Sequence, residues 1–164
     1  MQHNDFCTSA NKRKIYWARN YVSWPIFSSF KPNINHKILT DWEKKGKVHH
    51  HVTQNVDALL VKSGCLKLTE LHGSSYKVKC LDCDFKLSRD SMQKLIQSFN
   101  PVWSIETEDE ININPDNDVR LSPEQIENFQ VPKCPKCKSD RLKPDIGKKI
   151  LKKSYKFNFL KDKN

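Results

Sequence analysis

Two cysteine pairs of identical spacing constrain this chain more than any other feature. Cys80 and Cys83 form one Cys-x-x-Cys pair, and Cys134 and Cys137 form the other. Two short loops that each offer two thiolates can close a tetrahedral zinc site, and four thiolates leave no coordination position for water or substrate. The pattern therefore predicts one structural Zn²⁺ ion, with any chemistry residing elsewhere in the chain.

The context of the pairs argues against other uses of cysteine. A thioredoxin-like redox centre needs one Cys-x-x-Cys pair at a strand-to-helix junction, and disulfide frameworks belong to short secreted chains dense in cysteine. The two remaining cysteines, Cys7 and Cys65, are isolated, and we interpret them as ordinary thiols. Four lysines flank the pairs and are expected to offset the negative charge of a four-thiolate complex; they are Lys79, Lys133, Lys136 and Lys138.

The spacing between the pairs predicts an insertion. Fifty residues separate the inner cysteines, whereas a common zinc ribbon has about 15 to 20. We expect a first part over residues 1–75, a zinc-binding module with a helical insertion over 76–145, and a lysine-rich tail over 146–164. Because only 37% of the residues are apolar, the core should be modest.

Periodicity before the first cysteine pair indicates an alternating α/β arrangement. It predicts a helix over 33–45 that Gly46 ends, a strand over 47–53, a helix over 56–62 that Gly64 ends, and a strand near 68–71. This order favours a parallel sheet. Ligand sites in such sheets lie beyond the carboxyl ends of the strands.

Two helices are predicted inside the insertion. Apolar residues recur on one face over 90–99, and Asn100-Pro101 ends that helix. Ser122, Pro123 and Gln125 make a capping box that starts a short helix over 123–129. Between them, residues 106–118 contain six acidic residues and no basic one, which is typical of a solvated loop.

A polar segment follows the first predicted strand. Thr53, Gln54, Asn55, Val56 and Asp57 concentrate amide and carboxylate groups there, which suits hydrogen bonding to a carboxamide and to sugar hydroxyls. The same residues could instead form an Asx turn that caps the next helix. The segment alone leaves both interpretations open.

Among the six histidines, a run of three and one single residue are considered as site candidates. His49, His50 and His51 are consecutive, and neighbouring strand residues point to opposite faces, so we interpret the run as structural. His72 precedes Gly73, which permits a sharp turn, and imidazole is the side chain that changes protonation nearest to neutral pH. Alone, His72 could equally be structural or catalytic.

Taken together, these motifs form an ordered set that resembles the sirtuin family. The set runs Thr53-Gln-Asn-x-Asp57, Glu70-Leu-His-Gly73, the two cysteine pairs, then Leu142-Lys-Pro-Asp145. The likeness covers about residues 13 to 145 and is nearest to the mitochondrial class II branch, of the sirtuin-4 type. It implies an α/β fold with a partial Rossmann-like core and an inserted small zinc-binding module.

The resemblance also implies a function. Sirtuins are NAD-dependent protein-lysine deacylases that transfer the acyl group from lysine to ADP-ribose and release nicotinamide, and some relatives are credited with lipoamidase or ADP-ribosyltransferase activity. It implies NAD⁺ as co-substrate, an acylated-lysine protein as partner and a mitochondrial matrix location. Carried over by position, His72 would be the general base, Gln54, Asn55, Val56 and Asp57 would line the nicotinamide-ribose pocket, and the paired cysteines would bind zinc.

Two departures from the family pattern accompany the likeness. Sirtuins carry a Gly-Ala-Gly-x-Ser loop that cradles the cofactor phosphates, and this chain has no Gly-x-Gly. After Asp145 the family's apolar strand is replaced by a lysine-rich tail. We therefore expect a fragment, or a short paralogue, that is inactive by itself.

Charge suggests an alternative of a different class. A formal net charge of +10 would suit a zinc-stabilised basic module that binds nucleic acid or another anionic partner. Half of this excess lies in the last twenty residues, and the acidic segment opposes a continuous positive face, so nucleic acid is the less favoured partner. No apolar run is long enough for a membrane span, so no membrane partner is expected.

Overall fold

A computed structural model describes residues 3–103, 112–113 and 119–147. The predictions for nearly all of 106–118 and for the tail beyond 147 lie outside these residues. The helices are α1 His3–Thr8, α2 Ala10–Ser29, α3 Ile34–Lys44, α4 Leu59–Lys62, α5 Arg89–Phe99 and α6 Pro123–Glu127. The strands are β1 His51–Thr53, β2 Leu68–Glu70, β3 Gly73–Cys80, β4 Lys86–Ser88, β5 Asn112–Ile113, β6 Val119–Arg120 and β7 Leu142–Ile146.

The strands form one parallel pair and two antiparallel groups. β1 pairs with β2 in parallel, with His51 opposite Leu68, which confirms the predicted parallel arrangement. β3 is the centre of an antiparallel sheet with β4 on one side and β7 on the other. β5 and β6 form a separate short antiparallel pair. In the described part of the chain, no helix is long and apolar enough to cross a membrane.

Both predicted helices of the insertion are present, although α6 ends at Glu127 and not at residue 129, and their caps explain where they begin. The Ser88 hydroxyl accepts the backbone N–H of Ser91 at the start of α5. At α6 the predicted capping box is present, because the Ser122 hydroxyl accepts the Gln125 N–H while the Gln125 side chain accepts the Ser122 N–H. Each cap satisfies backbone donors that a helix start otherwise leaves unpaired.

Two elements of the first part are shorter than the sequence predicts. β1 begins only at His51, because the N–H groups of Lys47 and Val48 both donate back to the Trp42 carbonyl and so extend the end of α3. α4 begins at Leu59, because Ala58 has a left-handed backbone with φ 56°. The predicted stop at Gly64 and the predicted helix of α3, which Asn33 caps, are confirmed.

The main core lies where α2 crosses the antiparallel sheet and α5. Trp17 of α2 is fully buried, and its indole N–H donates to the Leu142 carbonyl of β7 at 3.0 Å. Arg89 of α5 is also buried, with its guanidinium over the rings of Trp17 and Trp24; burial lowers the Arg89 pKa to about 10. The core comprises Phe6, Trp17, Ala18, Val78, Cys80, Met92, Ile96, Ile126, Phe129, Cys134 and Leu142.

Helix α2 contains Pro25, whose missing N–H is compensated from α5. A proline inside a helix leaves the carbonyl four residues earlier without its intrahelical donor. Here that carbonyl belongs to Tyr21, and it accepts a hydrogen bond from the Gln93 amide at 2.8 Å. The Gln93 side-chain oxygen in turn accepts from Arg89 at 2.7 Å. Gln93 therefore joins α2 to α5 at the point where α2 would otherwise be weakest.

Replacing Gln93 by methionine should lower the free energy of unfolding by about 1 to 3 kcal/mol. The change keeps the side-chain length but leaves the Tyr21 carbonyl and an Arg89 N–H without their partner, and an unpaired buried polar group carries a cost of this size. Urea denaturation measures the effect.

The matched control is Gln97→Met, at an exposed position on the same helix, which should change stability by less than about 0.5 kcal/mol. A second control restores a donor to Tyr21. In a Pro25→Ala background α2 can make its own hydrogen bond, so Gln93→Met should then be less destabilising. Equal losses in both backgrounds would contradict the compensation.

Candidate functional site

The four paired cysteines converge into one cluster, as predicted. Their sulfur atoms all lie within 4.8 Å of one another, with 3.5 Å between Cys80 and Cys137 and 3.7 Å between Cys83 and Cys134. Tetrahedral thiolates at a Zn–S distance of about 2.3 Å lie about 3.8 Å apart, so the cluster fits a structural zinc ion. This confirms the zinc prediction.

Local backbone structure presents the sulfurs inward. Cys80 ends β3, and its sulfur accepts the Asp82 N–H at 3.4 Å. In the second loop the Cys134 carbonyl accepts the N–H of Lys138, and Lys138 takes a left-handed backbone with φ 64° that turns the chain away. These turns place two sulfurs of each short loop on the same side.

Two of the lysines that flank the cysteine pairs also form ion pairs with carboxylates. Lys79 forms an ion pair with Asp145 at 2.7 Å, and Lys136 forms one with Asp84. Their positive charge is therefore shared with carboxylates, and they offset the charge of a four-thiolate complex less than the sequence suggests.

The polar segment Gln54–Asp57 and His72 follow the ends of neighbouring parallel strands. Thr53 is the last residue of β1 and lies opposite Glu70, the last residue of β2. The Leu71 N–H then donates to the Thr53 carbonyl at 2.8 Å, so the two chain segments leave the sheet side by side. Carboxyl ends of adjacent parallel strands are the usual place for a ligand site in an open α/β sheet.

The segment after β1 contains Asx-type contacts, which are one of the two interpretations that the sequence alone leaves open. The Thr53 hydroxyl accepts the Asn55 N–H at 3.0 Å, and one Asp57 carboxylate oxygen accepts the Leu59 N–H at 2.9 Å. Asn55 and Asp57 nevertheless line a cleft of about 270 Å³ whose wall also includes His36. Capping and ligand binding are therefore compatible for Asp57, because capping occupies one of its two oxygens.

The other predicted site residues, Gln54, Val56 and His72, do not line this cleft. Gln54 is exposed and Val56 is half-buried. His72 is half-buried, and its carbonyl accepts the Gly147 N–H at 3.0 Å. The residues lining the cleft are Asn35, His36, Leu39, His51, Val52, Thr53, Asn55, Asp57, Ala58, Leu60, Leu68 and Glu70.

An irregularity in β3 connects the sheet of the cysteine cluster to the polar segment. Ser74 and Val78 of β3 lie opposite two adjacent residues of β7, so the β3 residues between them bulge outward. One of those β7 residues is Pro144, which has no N–H to donate to a strand ladder, and bulges are where sheets accommodate proline. The bulge lets the Ser75 N–H reach the Val56 carbonyl at 2.9 Å.

A second group of potential metal ligands lies beside the cleft, and no spacing in the sequence indicates it. Donor atoms of Glu43, His51 and Cys65 lie within 4.8 Å of one another, and all three residues are buried. A hydrogen bond from the Cys65 thiol lowers the Glu43 pKa. Burial, together with the Glu43 carboxylate, raises the Cys65 pKa to about 12.

Comparisons with known proteins agree with the arrangement of these motifs. The sequence model of the Sir2 family matches residues 1–152. Human mitochondrial NAD-dependent protein lipoamidase sirtuin-4 is 51% identical over 146 residues, and the fruit-fly NAD-dependent protein deacylase Sirt4 is 44% identical over 146 residues. The alignment with the human protein covers 89% of this chain and 45% of that protein, so the chain spans about half the length of the curated relatives that it matches.

Solved structures give the same result at the level of the fold. A structure described as bearing on sirtuin substrate affinity superposes with a TM-score of 0.52 and 26% identity, over 74% of this chain and 37% of that one. A complex of Sir2 with a p53 peptide and NAD⁺ superposes with a TM-score of 0.50 and 26% identity, over 73% and 37%. The resemblance seen in the motifs is therefore confirmed, and the chain belongs to the Sir2 family.

Proposed function

We propose that this chain forms the histidine-bearing, zinc-braced part of an NAD-dependent protein-lysine deacylase. The observation that carries the proposal is the side-by-side exit of two segments from paired strands β1 and β2, one with Asn55 and Asp57 and the other with His72. The curated relatives named as deacylases or lipoamidases support it. The four-cysteine cluster has no free coordination position and braces the fold.

Each site residue has a distinct role in this proposal. NAD⁺ supplies the ADP-ribose acceptor and the nicotinamide leaving group. His72 acts as a general base that takes the proton of a ribose hydroxyl, a role typically worth about 100- to 10,000-fold in rate. Asn55 orients the ribose and a water molecule. Asp57 accepts from the nicotinamide carboxamide through the oxygen that the Leu59 N–H leaves free.

The cleft supports a ligand of mixed polarity. It joins amide and carboxylate groups from Asn55 and Asp57 to an apolar wall from Leu39 and Leu60, as small-molecule sites commonly do. Its volume of about 270 Å³ lies just below the range of ligand pockets, which starts near 300 Å³, and suits one portion of NAD⁺. In the proposal Gln54 and Val56 also belong to the NAD⁺ pocket, and neither of them lines this cleft.

The proposed partner is an acylated-lysine protein, and the proposed location is the mitochondrial matrix. Both follow from relatives, because the human and bovine proteins are named as mitochondrial lipoamidases. ADP-ribosyl transfer would use the same cofactor pocket, with a different acceptor in place of the acylated lysine.

The proposal is tested by nicotinamide release in a chimera. The matched segment of human sirtuin-4 is replaced by this chain, and NAD⁺ consumption is measured with an acylated-lysine peptide. We expect peptide-dependent nicotinamide release that His72→Ala lowers by about 100- to 10,000-fold. His49→Ala is the matched control, since His49 is an exposed histidine, and it should leave the rate unchanged.

Two results would count against the proposal separately. A His72→Ala chimera as fast as its parent would remove the general-base role. A folded, zinc-loaded chimera that never releases nicotinamide would remove the deacylase function itself.

A further inference from the structure

Three buried side chains from three different elements meet beside β1. Glu43 comes from the last turn of α3, His51 from the start of β1, and Cys65 from the loop between α4 and β2. Glu43 is 7% exposed, His51 8% and Cys65 5%. A carboxylate oxygen, an imidazole nitrogen and a thiol sulfur therefore lie close together at a position with little exposure to solvent.

The histidine at this point has an unused nitrogen. The buried Nε2 of His51 makes no hydrogen bond, and it lies 3.4 Å from Oε2 of Glu43. Buried polar groups are nearly always paired in native proteins, so such an exception calls for an explanation such as an ion. The same Oε2 atom lies 2.8 Å from the Cys65 sulfur.

The carboxylate is already held in the orientation that a metal ligand needs. Oε1 of Glu43 accepts the backbone N–H of Leu66 at 3.0 Å and that of Lys67 at 3.3 Å. Oε2 shares the Lys67 N–H, also at 3.3 Å, and is the oxygen that faces His51 and Cys65. Hydrogen bonds to the non-coordinating atom are the usual means by which proteins fix a ligating carboxylate.

We propose that Glu43, His51 and Cys65 form a second metal site, for a divalent ion of the Zn²⁺ type, separate from the four-cysteine cluster. The mixture of nitrogen, oxygen and sulfur donors suits Zn²⁺ better than Mg²⁺ or Ca²⁺, which prefer oxygen alone. Ligand distances of about 2.0 to 2.3 Å in a tetrahedral zinc site separate donor atoms by about 3.3 to 3.6 Å. The three donors, all within 4.8 Å of one another, can meet this with small shifts.

Charge balance supports the same ion. Binding breaks the Cys65 S–H bond and releases that proton to solvent, while Glu43 and a neutral His51 each give a lone pair without losing a proton. One thiolate, one carboxylate and one imidazole then surround a double positive charge, so the buried complex is neutral overall. Burying a neutral complex avoids the penalty of leaving a charged carboxylate in a water-poor site.

The fourth coordination position would be open to the cleft. His51 is itself part of the cleft wall, so a water molecule can complete a tetrahedral shell from that side. The ion would tie α3, β1 and the loop before β2 together. It would thus brace the strand that leads to Asn55 and Asp57, whatever reaction the protein catalyses.

Metal stoichiometry of the whole chain tests the proposal. The metal-free protein is equilibrated with excess Zn²⁺, freed of unbound ion by gel filtration, and analysed for zinc by mass spectrometry. We expect two zinc ions per chain, and one in each of His51→Leu and Cys65→Ala. His49→Leu and Cys7→Ala are the matched controls, and both should keep two.

X-ray absorption at the zinc edge gives a second measurement. A four-sulfur site together with a site that has one sulfur averages about 2.5 sulfur ligands per zinc, and His51→Leu should raise this average to about 4. One zinc per wild-type chain, with four sulfur ligands, would overturn the proposal. If His51→Leu loses all zinc because it fails to fold, Cys65→Ala decides: two ions in that variant would overturn the second site.

Discussion

Replacing Cys134 by serine should abolish zinc binding at the four-cysteine cluster and unfold the module built around β3, β4 and β7. Cys134 is fully buried and belongs to both the cluster and the main core. Structural zinc contributes about 10 to 16 kcal/mol of apparent free energy in zinc-finger peptides. That exceeds or equals the total stability of most domains, which is about 5 to 15 kcal/mol. Zinc content and thermal unfolding followed by circular dichroism measure the result.

The control for this experiment is Cys7→Ser, at a partly exposed cysteine away from the cluster. It should keep the zinc content and the melting temperature of the parent. Chelation of the parent protein should reproduce the Cys134→Ser result without any mutation. A Cys134→Ser protein that melts as the parent does and retains all of its zinc would show that the cluster does not hold the fold.

Replacing Gly73 by alanine should destabilise the protein by more than about 4 kcal/mol, at the upper end for a single substitution. Gly73 has φ +83°, a backbone conformation that residues with a side chain rarely adopt. In addition, an added Cβ would lie 1.8 Å from the Asp145 carbonyl oxygen. That oxygen belongs to the backbone of β7, so it cannot move aside without separating β3 from β7. Denaturant unfolding measures the loss of stability. The conformation of His72 is also expected to change, because the two residues are adjacent.

Gly46→Ala separates the two causes of this effect. Gly46 has a similar φ of +72°, but nothing lies within 4 Å of an added Cβ. The left-handed backbone alone should then cost about 1 to 2 kcal/mol. The difference between the two variants measures the close approach of β3 to β7. Equal losses of stability in the two variants would mean that the backbone conformation alone, without the close contact to β7, requires glycine at position 73.

Local signals explain what the sequence predicted well. The zinc cluster follows from two short loops, and α6 follows from a capping box that Ser122 and Gln125 form between themselves. Helix α3 likewise has its cap at Asn33 and its glycine at 46. Each cysteine pair and each cap consists of residues a few positions apart, and the matched spacing of the two pairs predicts that they meet, so no knowledge of the tertiary structure is needed to find them.

Helix α2 and strand β3 could not be found in the same way. Pro25 argues against a helix of twenty residues, and it is tolerated because Gln93 approaches from another element. β3 begins with glycine and two serines, which are not typical strand residues, and its pairing depends on β7 from the far side of the insertion. In both cases a distant segment supplies what the local sequence lacks.

The candidate site likewise contains residues that sequence motifs identify and residues that only the tertiary structure brings together. Asn55, Asp57 and His72 stand in motifs that the family resemblance identifies, and their roles stay a prediction, as does the division of the chain at residue 75. Glu43, His51 and Cys65 have no metal-binding spacing. The sequence alone predicts a structural role for His51 and an ordinary thiol at Cys65, because only the packing of α3 against β1 and the following loop brings their donor atoms together.

The bulge in β3 links the sheet of the four-cysteine cluster to the segment proposed to bind NAD⁺. It fastens the Ser75 amide of the strand that ends in Cys80 to the Val56 carbonyl of the segment proposed to hold the nicotinamide ribose. Any factor by which zinc at the cluster changes ligand affinity at this segment is, by thermodynamic reciprocity, also the factor by which the ligand changes zinc affinity.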